Sequence, residues 1–221
     1  MPAPGAARRI CGRCTRPVTA CICRWIVPVH TGVELLILQH PMETSNAKGS
    51  ARLLHLSVAG SVLAEGEEFD PDRLAAFLHA GDRAPLLLYP ETPGDAPGDA
   101  PTDAPPATAP GLASGVAPAI AQERDPALLR LVIIDATWRK SRKMLYLNAA
   151  LQGLPRLALT QVPPSHYLIR KAHLPNQLST LEATCHALAQ LDDGASGLAP
   201  LLAAFDGFVA RFQATGGRIG T

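Results

Sequence analysis

Net charge is almost missing from this chain: 20 Lys and Arg stand against 19 Asp and Glu, leaving +1 at neutral pH. That balance excludes recruitment of nucleic acid by overall charge, so any basic surface must be local. Long apolar runs are also missing. No segment approaches the length of a membrane span, and the N-terminus has no signal-peptide apolar region, so a cytoplasmic protein with no membrane partner is expected. No obligate protein partner is evident either. In a reducing compartment the five cysteines argue for metal or packing rather than disulfides. Lys48-Gly49-Ser50 lacks the upstream glycine of a phosphate loop, which removes nucleotide triphosphate binding by that motif. Thr92–Pro118 lacks aromatic residues altogether, and its 27 residues hold seven prolines, seven alanines, four glycines and three aspartates. Such a stretch cannot bury enough apolar surface to offset its ordering entropy, so it is expected to be a disordered insertion between two strands of one sheet.

What is present is enough for one folded unit with a core: 221 residues, 47% of them hydrophobic. Short apolar runs alternate with helical patterns. Strands are expected at Val33–Leu38, Pro85–Tyr89, Leu131–Ile134 and Arg156–Thr160. Helices are expected over Arg52–Val58, from Asp70-Pro71 to Gly81, from Thr137 on to Gly153, from the capping box Ser179-Thr180-Leu181-Glu182 to Gly194, and across Leu201–Phe212. Cys185 sits on the buried stripe of the fourth of these helices and reads as core. This alternation predicts an α/β class with a mainly parallel sheet over residues 29–221, behind an arm and small cysteine module at 1–28.

The organising stretch is Leu131–Tyr146, LVIIDATWRKSRKMLY. Asp135 ends a buried strand, and Thr137 can cap the helix that follows. The carboxyl end of a buried strand beside a helix N-terminus is where open α/β sheets place ligand chemistry. Trp138 comes next, and Arg139, Lys140, Arg142 and Lys143 suggest a polyanion nearby. A plainer reading has Asp135 only capping, Trp138 in the core and the cations solvated. His40–Glu43 and Tyr89–Glu91 end two other strands, and in a parallel sheet all three ends share one edge, giving one candidate pocket. Ser165, His166, Tyr167, Arg170 and Lys171 lie in a polar, proline-bearing loop able to reach it.

At the other end of the chain, Cys11, Cys14, Cys21 and Cys23 follow C-x₂-C, six residues, then C-x-C. Two close pairs across a short turn can surround one tetrahedral Zn²⁺, and with sulfur at every position the ion would be structural. The neighbouring arginines make this knuckle a candidate RNA contact.

Asp135-Ala136-Thr137-Trp138 matches the D-x-T-W motif of the DTW-domain family, and the likeness goes further. Cys11-x₂-Cys14 with Arg16-Pro17 and Cys21-x-Cys23, His40-Pro41-x-Glu43, Tyr89-Pro90, Tyr167-x₂-Arg170-Lys171 and Leu178-Ser179-Thr180-x-Glu182 fall in that family's order. The chain resembles the family nearly throughout, apart from Thr92–Pro118. The resemblance implies a tRNA-uridine aminocarboxypropyltransferase. Such an enzyme moves the 3-amino-3-carboxypropyl group of S-adenosylmethionine (SAM) to N3 of a variable-loop uridine and leaves 5′-methylthioadenosine. It further implies a SPOUT-like fold with a trefoil-type knot near the C-terminus, which strand and helix patterns alone do not suggest.

Under that resemblance Asp135 is the candidate general base, or the group that orients the imide. Thr137 and Trp138 complete the catalytic set, and Trp138 stacks on adenine, stacks on the target base or walls the pocket. SAM is expected against Tyr89, Pro90, Thr137, Trp138, Ser179 and Thr180. RNA is expected on Arg52, Arg139, Lys140, Arg142, Lys143, His166, Tyr167, Arg170 and Lys171. The competing readings are a SAM-dependent RNA methyltransferase, a non-catalytic zinc-ribbon RNA-binding protein and an rRNA-directed transferase.

Overall fold

The computed structural model describes residues 9–90, 124–159, 165 and 178–214. The expected insertion at Thr92–Pro118 therefore lies outside the described residues, as do His166, Tyr167, Arg170 and Lys171.

The strands are β1 (Glu34–Gln39), β2 (Val62–Glu65), β3 (Ala84–Leu88), β4 (Leu129–Asp135) and β5 (Arg156–Leu157). They form one five-stranded sheet in the order β2-β1-β4-β3-β5, and every pairing is parallel. The helices are α1 (Pro41–Thr44), α2 (Ala51–Ser57), α3 (Pro71–His79), α4 (Trp138–Leu147), α5 (Ala149–Gln152), α6 (Thr180–Leu191) and α7 (Leu198–Ala214).

Continuous apolar strands need cover on both faces, and the period-two alternation of strand side chains divides that cover. Leu35, Ile37, Leu131 and Ile133 pack with Leu54 of α2, Leu181 and Leu188 of α6, and Phe205 and Phe208 of α7. Leu36, Leu38 and Val132 point the other way, toward Leu74 and Leu78 of α3, Met144 and Leu145 of α4 and Leu151 of α5. Cys14 and Ile22 of the cysteine knuckle join the first of these cores. Arg16 ties the knuckle down by donating to the carbonyls of Ala47 and Gly49, at 2.7 and 2.8 Å.

The expected elements are present, with the differences that follow; the short α1 is an addition. β2 was not foreseen, because it is a four-residue edge strand, VLAE, with only Ala64 buried, and so short an apolar run does not distinguish strand from helix. β5 stops at Leu157 rather than running to Thr160. Its partner among the described residues, β3, ends at Leu88, which pairs with Leu157, so Ala158 and Leu159 have no ladder there to join. The helix expected from Thr137 to Gly153 breaks at Asn148 (φ −113°, ψ 85°). The buried Asn148 amide accepts from the Phe69 N–H at 2.9 Å and donates to the Glu67 and Met144 carbonyls, at 2.9 and 2.6 Å. These bonds compete with continuation of the helix. Thr137 does occupy the N-cap of α4, but its hydroxyl makes no capping bond. α6 ends at Leu191, ahead of Gly194, with Asp192 as C-cap.

Gly207, midway along α7, faces Trp25 so closely that an added Cβ would lie 2.5 Å from the indole. Gly207→Ala gains about 1 kcal/mol of helix propensity. The overpacking costs more, about 1–3 kcal/mol. The melting temperature is therefore expected to fall by a few degrees in a thermal scan; a rise would show that Trp25 swings away freely.

Candidate active site

The three central strands β1, β4 and β3 end together, and the chain's polar groups gather there. Register pairs Gln39 with Asp135, and since both follow the same alternation, both side chains point to the α6 face. The Gln39 amide donates to Asp135 Oδ2 at 2.8 Å. Thr180 Oγ1, in the first turn of α6, donates to Oδ1 at 2.6 Å. Asp135 and Gln39 are only 7% and 5% exposed, so these two donors orient a buried carboxylate. Sequence reading did not mark Gln39 as a site residue; its polar side chain on a buried strand end was the available signal.

Beside this carboxylate opens a cleft of about 630 Å³, including the part open to solvent; Asp135 and Gln39 do not themselves line it, and Thr180, which donates to Asp135, does. Tyr89, Pro90, Ala136, Trp138, Ser141, Leu178, Ser179 and Thr180 are among its lining residues. Tyr89 and Trp138 meet edge to face, with ring centroids 5.9 Å apart, and make an aromatic wall. The Tyr89 and Ser141 hydroxyls are 3.3 Å apart, and Ser141 was not foreseen. Ser179 sits at the rim, but its hydroxyl accepts from the Glu182 N–H while Glu182 accepts from the Ser179 N–H. This is the capping box expected from sequence. Ser165 donates to the same Glu182 carboxylate, at 2.9 and 3.1 Å.

Some candidates are placed elsewhere. Thr137 is half-buried and does not line the cleft. His40 turns away from it: Nδ1 accepts from the Met42 N–H, leaving Nε2 to meet Glu67 at 3.1 Å. Arg52 is half-buried on α2, outside the cleft lining, and its Nε has no hydrogen-bond partner among the described residues.

The cation run on α4 divides into two sets. Lys140 pairs with the buried Glu43 at 3.1 Å, and Lys143 pairs with Glu67 at 2.9 Å. The Lys143 ammonium first, and His40 second, hold the Glu67 carboxyl below its ordinary range. Arg139 and Arg142 form no ion pair among the described residues.

At the N-terminal knuckle the sulfurs of Cys11, Cys14, Cys21 and Cys23 lie within 4.8 Å of one another. Cys11 to Cys23 is 3.6 Å and Cys14 to Cys21 is 3.7 Å. Tetrahedral Zn–S bonds of about 2.3 Å would place the sulfurs about 3.8 Å apart, so the donor set fits such an ion. Amides donated by Cys14 and Arg13 bring the Cys11 thiol down to about 6. Burial, and then the neighbouring thiols, push Cys23 up to about 12. A dication removes that conflict by favouring thiolate at all four positions.

The family model for the DTW domain matches residues 8–213, spanning the knuckle, the sheet and the cleft. The chain belongs to the DTW domain family. Relatives of this DTW-domain chain include proteins named tRNA-uridine aminocarboxypropyltransferase 2 from Drosophila melanogaster (28% identical, 86% of this chain and 69% of the relative), Macaca fascicularis (26%, 86% and 58%) and Mus musculus (28%, 87% and 60%). The chain thus spans between 58% and 69% of these relatives' lengths. No solved structure matches the DTW-domain chain. Among its described residues, no helix is long and apolar enough to cross a membrane.

Proposed function

We propose that this chain is a tRNA-uridine aminocarboxypropyltransferase acting on N3 of a variable-loop uridine, with SAM as donor. The observation that carries the reading is that the D-x-T-W segment ends the central strand against a cleft, in a chain whose relatives bear that name. When bound, SAM supplies an electrophilic carbon whose bond to sulfur breaks as the bond to uridine N3 forms, the sulfur keeping the electron pair as 5′-methylthioadenosine. Tyr89, Pro90, Trp138, Ser179 and Thr180, on the cleft wall, are the residues to hold it. Asp135 accepts the imide proton of the uridine or orients that imide, and Gln39 and Thr180 keep its carboxylate in place. Choosing one of three electrophilic carbons is a matter of positioning, which a cleft built on strand ends and a capped helix can provide.

Thr137 remains in the proposed catalytic set through the amides at the head of α4. Arg139 and Arg142 are the proposed grips on the RNA backbone, with Arg52, His166, Tyr167, Arg170 and Lys171 added from the resemblance. Lys140 and Lys143 act there only if the RNA displaces Glu43 and Glu67. The four-cysteine cluster is proposed to hold structural Zn²⁺. The SPOUT-like knot belongs to the same proposal; the parallel sheet is compatible with it, and the passage that would form it, around 160–177, lies outside the described residues apart from Ser165.

One incubation tests the function. Purified protein, SAM and unmodified tRNA transcripts are expected to yield a uridine heavier by one aminocarboxypropyl group and methylthioadenosine, both identified by mass spectrometry. S-adenosylhomocysteine with a methylated nucleoside would replace this reading by a methyltransferase. Product on ribosomal RNA but not on tRNA would change the substrate.

A further inference from the structure

We propose that the outer face of α4 is a single-stranded RNA platform, with Tyr146 as a base-stacking residue and Arg139 and Arg142 as its backbone contacts. The proposal rests on the RNA-modifying reading above and goes beyond it by naming a surface and an aromatic contact that no sequence motif marks. Wound at about 100° per residue, α4 places Arg142, Tyr146 and Arg139 within about 60° of arc, beginning about 40° from Trp138. Trp138 lines the cleft, so this stripe runs continuously from the cleft wall along the helix.

Lys143 and Lys140 lie further round the helix, on the flank held by Glu67 and Glu43. Arg139 is exposed and Arg142 is half-buried, and neither has a carboxylate partner among the described residues. Tyr146 is 60% exposed, a large aromatic ring presented to solvent between and beyond two guanidinium groups. An aromatic face flanked by unpaired cations is what a single strand needs: a surface for a base and charges for its phosphates. From Trp138 to Tyr146 the helix rises about 12 Å, the length of three to four stacked nucleotides. The stripe therefore suits the nucleotides flanking the one in the cleft.

The test is binding of unmodified tRNA transcripts, followed by fluorescence anisotropy across a salt series. Tyr146→Ala is expected to weaken binding by about 5- to 100-fold, and Tyr146→Phe to keep it. Arg139→Gln and Arg142→Gln should each weaken binding and lower the salt slope by about 0.7. Arg73→Gln, at an exposed arginine on a different helix, α3, should stay within about twofold of wild type. Since Tyr146 is exposed, unchanged melting temperatures will show that the variants fold. A wild-type protein that modifies tRNA while Tyr146→Ala binds within twofold of it would overturn the platform and leave the function standing. Equal losses at Arg73 and at the stripe would also overturn it, by showing diffuse attraction. A wild-type protein that neither binds nor modifies tRNA would remove both proposals.

Discussion

Asp135→Asn is expected to lower single-turnover transfer by about 10²- to 10⁴-fold, the range by which a positioned base contributes, with SAM affinity changed only a few-fold. The shape of the site survives this substitution. Asp135 accepts from Gln39 and from Thr180. An Asn at this position can still accept from Thr180 with its carbonyl, while the Gln39 amide turns over so that its carbonyl takes the new N–H. Amide reversal conserves volume and the bonds to Gln39 and Thr180, so the fold should hold and its melting temperature should move little. What is lost is the negative charge and its capacity to take a proton. Near-normal transfer by this variant would remove Asp135 from the proton chemistry and leave it as a structural link between β4 and α6. Loss of SAM binding along with transfer would instead make the carboxylate an anchor for the donor. Comparing transfer with equilibrium SAM binding on one preparation separates these outcomes.

Replacing Cys11 and Cys14 together by Ser is expected to abolish metal binding and lower the melting temperature by about 10 °C or more. In small zinc modules the metal's binding energy is largely folding energy. For chains of this size each kcal/mol moves the midpoint by about 2–4 °C, so a loss above about 4 kcal/mol gives that shift. The knuckle is not a detached appendage in this respect. Cys14 is fully buried and Ile22 nearly so, in the core that holds Phe205 and Phe208 of α7. Its loss would therefore also unseat Trp25 from the Gly207 notch. Metal analysis of the wild type should find one zinc per chain. Metal-free wild-type protein with an unaltered melting temperature would refute the zinc site and leave the cluster as packed thiols.

Much of the architecture follows from local chemistry. LLIL in β1 and LVII in β4 are apolar on successive residues, and only a strand covered on both faces satisfies them. Asp70-Pro71 and Ser179-x₂-Glu182 carry their own capping bonds within a few residues, so the starts of α3 and α6 could be read directly. The cysteine pairs and D-x-T-W are short-range patterns and were visible for the same reason. β2 and the break at Asn148 were not legible. The first owes its strand to pairing with β1, and the second to a hydrogen bond from Phe69, 79 residues earlier.

The site divides along the same line. The sequence alone determined that Asp135 would close a buried strand and that Trp138 and a cation run would follow it. Only the tertiary structure decided that β4 lies between β1 and β3. That position sets Gln39 against Asp135, 96 residues apart, and Thr180 against it from 45 residues later. It alone decided that Lys140 and Lys143 are paired with Glu43 and Glu67, while Arg139 and Tyr146 are exposed and Arg139 and Arg142 have no ion-pair partner among the described residues. Helix spacing fixes which residues share a face. Which face meets carboxylates, and which meets solvent, depends on elements nearly a hundred residues away that no local pattern specifies.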